Sequence, residues 1–219
     1  MMRMQQDQEA ADAALAGFNV SRETRERLDT LVAELHRWQK AKNLVGPGTL
    51  ETVWSRHIAD SLQLVALLPD ARTWLDLGSG AGFPGLVIAI VLRDREGARV
   101  HCVESNGRKC SFIRHAARLT GAPVTVHNAR IESIITSFQE KVDVVTARAL
   151  APLSQLLDWT SPLLTTGVQG LFPKGDNALG ELTEARESWK FDVETFPSRT
   201  DPRGQILRIG SLEKAQPAR

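Results

Sequence analysis

The chain has 219 residues, 42% of them hydrophobic, with a formal net charge of +1. That length suits one domain with an appendage or two small domains, and the lack of an apolar run near 18 residues excludes a membrane-spanning helix. So even a charge balance does not announce a polyanion partner for the whole surface, and two cysteines, Cys102 and Cys110, make neither a disulfide framework nor a cysteine metal cluster.

Residues 1–20, MMRMQQDQEAADAALAGFNV, carry acids early and lack the continuous apolar core of a secretory signal. They read as a partly ordered, flexible leader and not as a targeting segment. From Ser21 the apolar positions Leu28, Leu31, Val32, Leu35 and Trp38 recur at spacings of three and four. This predicts an amphipathic helix with Ser21 as N-cap and Asn43 near its end. Gly46-Pro47-Gly48 breaks it, and a second helix is expected from about Leu50 to Leu68, stopped by Pro69. Residues 1–70 therefore form a helical extension, and 71–219 a second unit.

After Pro69 the period changes. The runs TWLDLG, RVHCVES, VTVHN, VDVVTARA and GLFP are strand candidates, with helices expected at 85–93, 106–120, 131–138, 152–164 and 178–188. Gly121 is placed as a helix C-cap. Cys102 falls in a strand and Cys110 in a helix, so both read as reduced cytoplasmic thiols. Two last runs, KFDVETF and GQILRIG, have no helix between them and form a hairpin joined by PSRTDPR. Repeated βα units imply an open, doubly wound, mostly parallel sheet of seven strands with an antiparallel C-terminal hairpin.

Ligands of such sheets bind beyond the carboxyl ends of the strands. The first of these ends carries DLGSGAGFPG, Asp76 to Gly85. A phosphate loop would need Lys-Ser or Lys-Thr after the glycines, and none follows. A dinucleotide fingerprint does occur at Gly80, Gly82 and Gly85. The alternative is an S-adenosylmethionine turn, with an acid two residues before Gly78-Ser79-Gly80-Ala81-Gly82. Bare glycines let a ligand approach the main chain. A carboxylate at Asp76 suits an ammonium and would repel a pyrophosphate, while Pro84 removes a donor where an anion would be held. Glu104 ends the next strand, where a carboxylate can accept the hydroxyls of a ribose. After the third strand, Ala129, Arg130, Ile131 and Glu132 could enclose an adenine, and after the fourth Arg148 points into the crevice.

The acceptor is narrowed by what is missing. TARALAPL stands where exocyclic amine methylation commonly uses an Asn/Asp-Pro-Pro-aromatic loop, neither cysteine is placed to attack a pyrimidine carbon, and no metal-ligand set is present. A ring nitrogen such as guanine N7 has an in-plane lone pair and needs only positioning and desolvation.

Asn43-Leu44, RHIADS (Arg56 to Ser61), DLGSGAGFPG, VESNGRKCSFIR, ARIES, TARALAPL and FPKG occur in the order found in the RsmG family, also called GidB, which this chain resembles from about Leu35 onward. The family methylates N7 of guanine 527 in 16S ribosomal RNA. The resemblance implies a Rossmann-like class I methyltransferase sheet over 71–219, S-adenosylmethionine as cofactor, and no metal. It implies cofactor contacts around Asp76, Gly78, Gly80, Gly82, Phe83, Glu104, Ile131, Glu132 and Arg148, with Arg148 and His57 positioning the reaction. RNA contacts are expected at Arg56, Lys109, Arg114, Arg118, Lys174 and Arg203. Lys174 in FPKG is the strongest of these, from its place at the cleft edge. The partner would be 16S rRNA within the 30S subunit or its precursor, met by a cytoplasmic monomer. The family's Arg-His pair on the last strand is replaced here by DPRGQILRIG. A small-metabolite methyltransferase, or a non-catalytic NAD- or S-adenosylmethionine-binding assembly factor, remain the alternatives. Six basic residues between Arg99 and Arg130 face the single acid Glu104, a local charge able to attract a polyanion or simply to solvate a helix.

Overall fold

The computed structural model describes residues 2–42, 44–46 and 48–215, with side chains described for all of these except 2–6, 41 and 42. Asn43 and Pro47 lie outside the described residues. No helix among the described residues is long and apolar enough to cross a membrane.

Met2–Leu15 forms helix α1, with Ala11 buried in a cluster that includes Leu28 and Trp54. Ser21 caps α2 (Arg22–Lys42) as expected, its Oγ accepting from the N–H of Thr24 at 3.2 Å. The next helix departs from expectation: Trp54–Ala59 winds as a π-helix before α3 (Asp60–Leu67) continues as a regular one. This segment is enclosed on several sides, with His57, Ile58, Ala59 and then Ser61 to Val65 all buried. π-turns are rare and gather at functional sites because they re-aim side chains and carbonyls.

The strands are β1 (Thr73–Leu77), β2 (Arg99–Glu104), β3 (Val124–Asn128), β4 (Val144–Ala147), β5 (Gln169–Lys174), β6 (Trp189–Pro197) and β7 (Gln205–Lys214). Their order is β3-β2-β1-β4-β5-β7-β6, parallel from β3 to β5 and antiparallel at β7 and β6. Helices α4 (Gly85–Leu92) and α5 (Gly107–Thr120) pack with α2 and α3 on one face. The other face carries α6 (Ile131–Ile135), α7 (Leu153–Leu164) and α8 (Ala178–Ser188). The sequence GLVIAIVL of α4 is apolar all round, and that fits its burial between the sheet and the helical extension. Helix α6 stops three residues short of the expected 131–138.

The order in which strands join the sheet reverses at β1 and β4, which are parallel neighbours although other elements lie between them in sequence. Leu77 pairs with Ala147, so Gly78 and Arg148 leave the sheet side by side. This is the switch point where a crevice opens in doubly wound sheets.

Candidate active site

The glycines of the turn do different work. Gly78, Gly80 and Gly82 have φ of +67°, +57° and +90°, conformations that a side chain makes costly. A β-carbon at Gly82 would lie 2.9 Å from Leu86, so this glycine packs the turn on α4. One at Gly80 would meet nothing nearer than 3.9 Å, leaving an open approach to the main chain. Above Gly78 stands Leu150, whose Cδ1 would be 2.6 Å from an added β-carbon.

The two carboxylates also differ. Asp76 was expected to face the cleft beside an ammonium, and the structure corrects this: it has no exposed surface. Its Oδ2 accepts from the Gly85 N–H at 3.0 Å, fastening β1 to the start of α4, while Oδ1 has no partner among the described residues. Burial pushes its acid up to about 7, against the opposing pull of the Ser79 and Gly85 hydrogen bonds. Glu104 ends β2 as expected and is buried. Its Oε2 accepts from the Gly80 N–H at 2.9 Å and its Oε1 from the Asn106 N–H at 2.7 Å. The carboxylate thus ties the turn to β2 while each oxygen keeps a lone pair for a hydroxyl. Helix α6 begins at the expected Ile131 and Glu132, the latter exposed.

Arg148 is the hub of the crevice. One guanidinium nitrogen donates to the Arg56 carbonyl at 2.6 Å and to Asp60 Oδ2 at 3.1 Å, and the other to His57 Nδ1 at 2.6 Å. Arg56 and Asp60 therefore do not form a surface pair; both converge on Arg148 across the chain. His57 stacks on Phe83, ring centres 4.7 Å apart, so the Phe83 ring is enclosed and not free to stack on a ligand. Desolvation, reinforced by Arg148 and Arg56, lowers the His57 pKa to about 3. Because Nδ1 accepts, the neutral ring carries its proton on Nε2, which is buried without a partner among the described residues. Asp60 Oδ1 accepts from Thr200 Oγ1 at 2.7 Å, and Gln63 Oε1 accepts from the Arg199 N–H at 3.0 Å, which pins the β6–β7 hairpin tip to the extension.

Beside this hub lies a cavity of about 580 Å³. Arg56, His57, Asp60, the 147–152 segment, Lys174 and the hairpin tip form its walls. Lys174 requires the second correction. Its side chain is only 7% exposed, pairs with Glu181 at 2.6 Å and donates to the Ala151 carbonyl at 2.7 Å. Two of the three donors of its ammonium are taken by Glu181 and the Ala151 carbonyl, and the side chain is turned inward rather than presented to RNA. No spacing rule in the sequence pointed to Glu181 or to Leu150, and only the fold brings them here.

The basic residues of α5 do not converge on the cleft. Lys109 sits in its first turn and Arg118 in its last, about 13.5 Å apart along the axis at 1.5 Å per residue. Arg114 donates to the Val126 carbonyl, and Arg118 contacts His115. Arg203 is 74% exposed at the hairpin tip, with Asp176 3.7 Å away. Among the described residues no group of three or more His, Cys, Asp or Glu is gathered as for a metal ion. Cys102 and Cys110 are both free and buried.

Residues 24–206 match the model of the GidB family, described as rRNA small subunit methyltransferase G. A Methylorubrum populi protein named ribosomal RNA small subunit methyltransferase G is 59% identical, covering 93% of this chain and 96% of its own. A relative of the same name from Parvibaculum lavamentivorans is 55% identical over 89% of this chain and 86% of its own. Among solved structures, the O-methyltransferase TomG of Streptomyces achromogenes, in complex with SAM, superposes with a TM-score of 0.61 at 15% identity, covering 91% and 95% of the two chains. An O-methyltransferase from Bacillus cereus, in complex with SAH, gives 0.59 at 15% identity over 92% and 97%. At such identities these two show a shared fold.

Proposed function

The chain belongs to the GidB family of rRNA small subunit methyltransferases, and on that premise we propose that it methylates N7 of a guanine, the family's position 527, in 16S ribosomal RNA, using S-adenosylmethionine. One observation carries the choice of acceptor. Of the groups on the cavity wall that could serve as a base, His57 Nδ1 and Asp60 are taken by Arg148 and Glu181 by Lys174, while Asp201 accepts from the Arg203 N–H at 3.0 Å through Oδ1. An acceptor that must lose a proton would need one of these as a free base. Guanine N7 needs none, because its lone pair lies in the ring plane and is available as it stands.

The crevice fits the cofactor. Gly80 is open where a β-carbon would intrude, and Glu104 offers a carboxylate at the end of β2 with lone pairs to spare. When bound, S-adenosylmethionine supplies a methyl group activated by a sulfonium. The chain's own contribution is placement. Glu104 would accept from ribose hydroxyls, and the 78–82 main chain would line the nucleoside. Arg148, held rigid by three acceptors, would border the transfer path. The adjoining cavity is large enough for one unstacked base, and enclosing it would exclude water from the step. The exposed Arg56, Arg203 and α5 bases would meet RNA phosphates, with a cytoplasmic monomer docking on the small subunit or its precursor.

The test incubates the protein and labelled S-adenosylmethionine with small subunits from a strain lacking this modification. Borohydride reduction and aniline then cleave RNA at N7-methylguanine. A single cleavage at the expected guanine supports the reading; label without cleavage, or no label at all, refutes it.

A further inference from the structure

Building on that reading, we propose that Lys174 and Glu181 are positioning residues for methyl transfer, holding the main chain at 151–153 so that Leu150 stands between the glycine turn and the cavity. Lys174 comes from β5 and Glu181 from α8. Lys174 Nζ donates to the Ala151 carbonyl at 2.7 Å, and Glu181 Oε2 accepts from the Leu153 N–H at 2.6 Å. The two side chains pair at 2.6 Å and are 7% and 19% exposed.

The segment needs such help. Leu153 opens α7, where the first N–H groups have no partner within the helix. The preceding residue, Pro152, has no N–H of its own and offers no side-chain cap. Glu181 therefore acts as a cap borrowed from another helix, and its charge at a helix N-terminus is balanced by Lys174. At the other end the segment is held by Arg148 through Arg56, His57 and Asp60. Between the two anchors Ala149 has φ +50°, a left-handed conformation that a residue with a β-carbon keeps only when its surroundings impose it. The next residue is Leu150, which both lines the cavity and rests on Gly78. A side chain bordering donor and acceptor together governs their approach, and transfer is sensitive to displacements near 1 Å. A pair that served only the general stability of the fold would have no reason to grip this one stretch of backbone from across the cavity.

The experiment compares Lys174→Met and Glu181→Gln with the wild type in three measurements. These are methyl transfer to unmethylated small subunits, S-adenosylmethionine affinity by calorimetry, and hydrogen exchange of the peptide 148–156 with neither ligand present. Lys174→Met should lower kcat at least about tenfold and Glu181→Gln about threefold, with KM for subunits and cofactor affinity within about twofold. Exchange at 148–156 should accelerate in both while β1 and β4 stay protected. Unchanged kcat and exchange would overturn the proposal. So would equal losses in kcat and cofactor affinity accompanied by faster exchange across β1 and β4, or failure of both variants to fold, since each marks a general structural pair. Should the wild type transfer no methyl at all, the functional reading fails, while the exchange data still decide whether the pair holds this segment.

Discussion

Leu150 rests on Gly78, and an added β-carbon at residue 78 would lie 2.6 Å from its Cδ1. The two residues belong to loops after different strands, and their contact joins the glycine turn to the cavity wall. It makes a double-mutant cycle informative. Gly78→Ala should destabilise by about 2–4 kcal/mol, from the clash together with the positive φ. In a Leu150→Ala background only the conformational part should remain, about 1–2 kcal/mol. Urea unfolding of the four proteins measures the coupling, and strictly additive effects would show that the contact is absent.

Asp76 has an acid pushed up to about 7 by burial, so the folded state binds its proton more tightly than the unfolded chain does. Stability must then fall as pH rises from about 4 to about 7 and level off above. Asp76→Asn removes that titration while keeping an acceptor for the Gly85 N–H. The stability of the wild type minus that of the variant is expected to decrease across this window. Urea melts at four pH values between 5 and 8 check it, and a difference constant with pH would contradict the burial of this carboxylate.

His57 behaves in the opposite sense. Its pKa is lowered to about 3, so the ring stays neutral while an unfolded histidine takes a proton near 6.5. Its contribution to stability is complete above that value and is lost as pH falls toward 3. The carbon-bound ring protons of His57 should show no titration between pH 8 and 5 by NMR. A shift with a midpoint near 6 would mean that Arg148 does not donate to Nδ1 in solution.

Arg148 serves three acceptors at once with a planar fork that lysine cannot reproduce. Arg148→Lys should therefore behave nearly as Arg148→Ala does, with methyl transfer down at least about a hundredfold in each. Near wild-type kcat in the lysine variant would reduce the role of Arg148 to its charge.

Much of the scaffold was written in the chain itself. The alternation of short β-rich runs with helical ones, the glycines of DLGSGAGFPG and the acid ending β2 gave the sheet, the crevice and the place of Glu104. These signals are local: strand and helix periodicities, and a backbone that needs positive φ, depend on neighbours a few residues away. The same locality explains the misreadings. Asp76 sits at the right strand end, yet its burial depends on where α4 begins over it. Lys174 ends β5 at the cleft edge, yet the fold aims it at Glu181 and Ala151.

What the sequence determined alone, then, was the set of elements, their connectivity and the turn that a nucleoside would need. Tertiary structure alone decided which groups remain available for chemistry. Arg148 finds Asp60, His57 and Arg56 at 88, 91 and 92 residues' distance along the chain, and Leu150 reaches back over Gly78. Side-chain partners are chosen by proximity in space, and no periodicity encodes who will stand opposite whom once the sheet has closed its order around the β1–β4 junction.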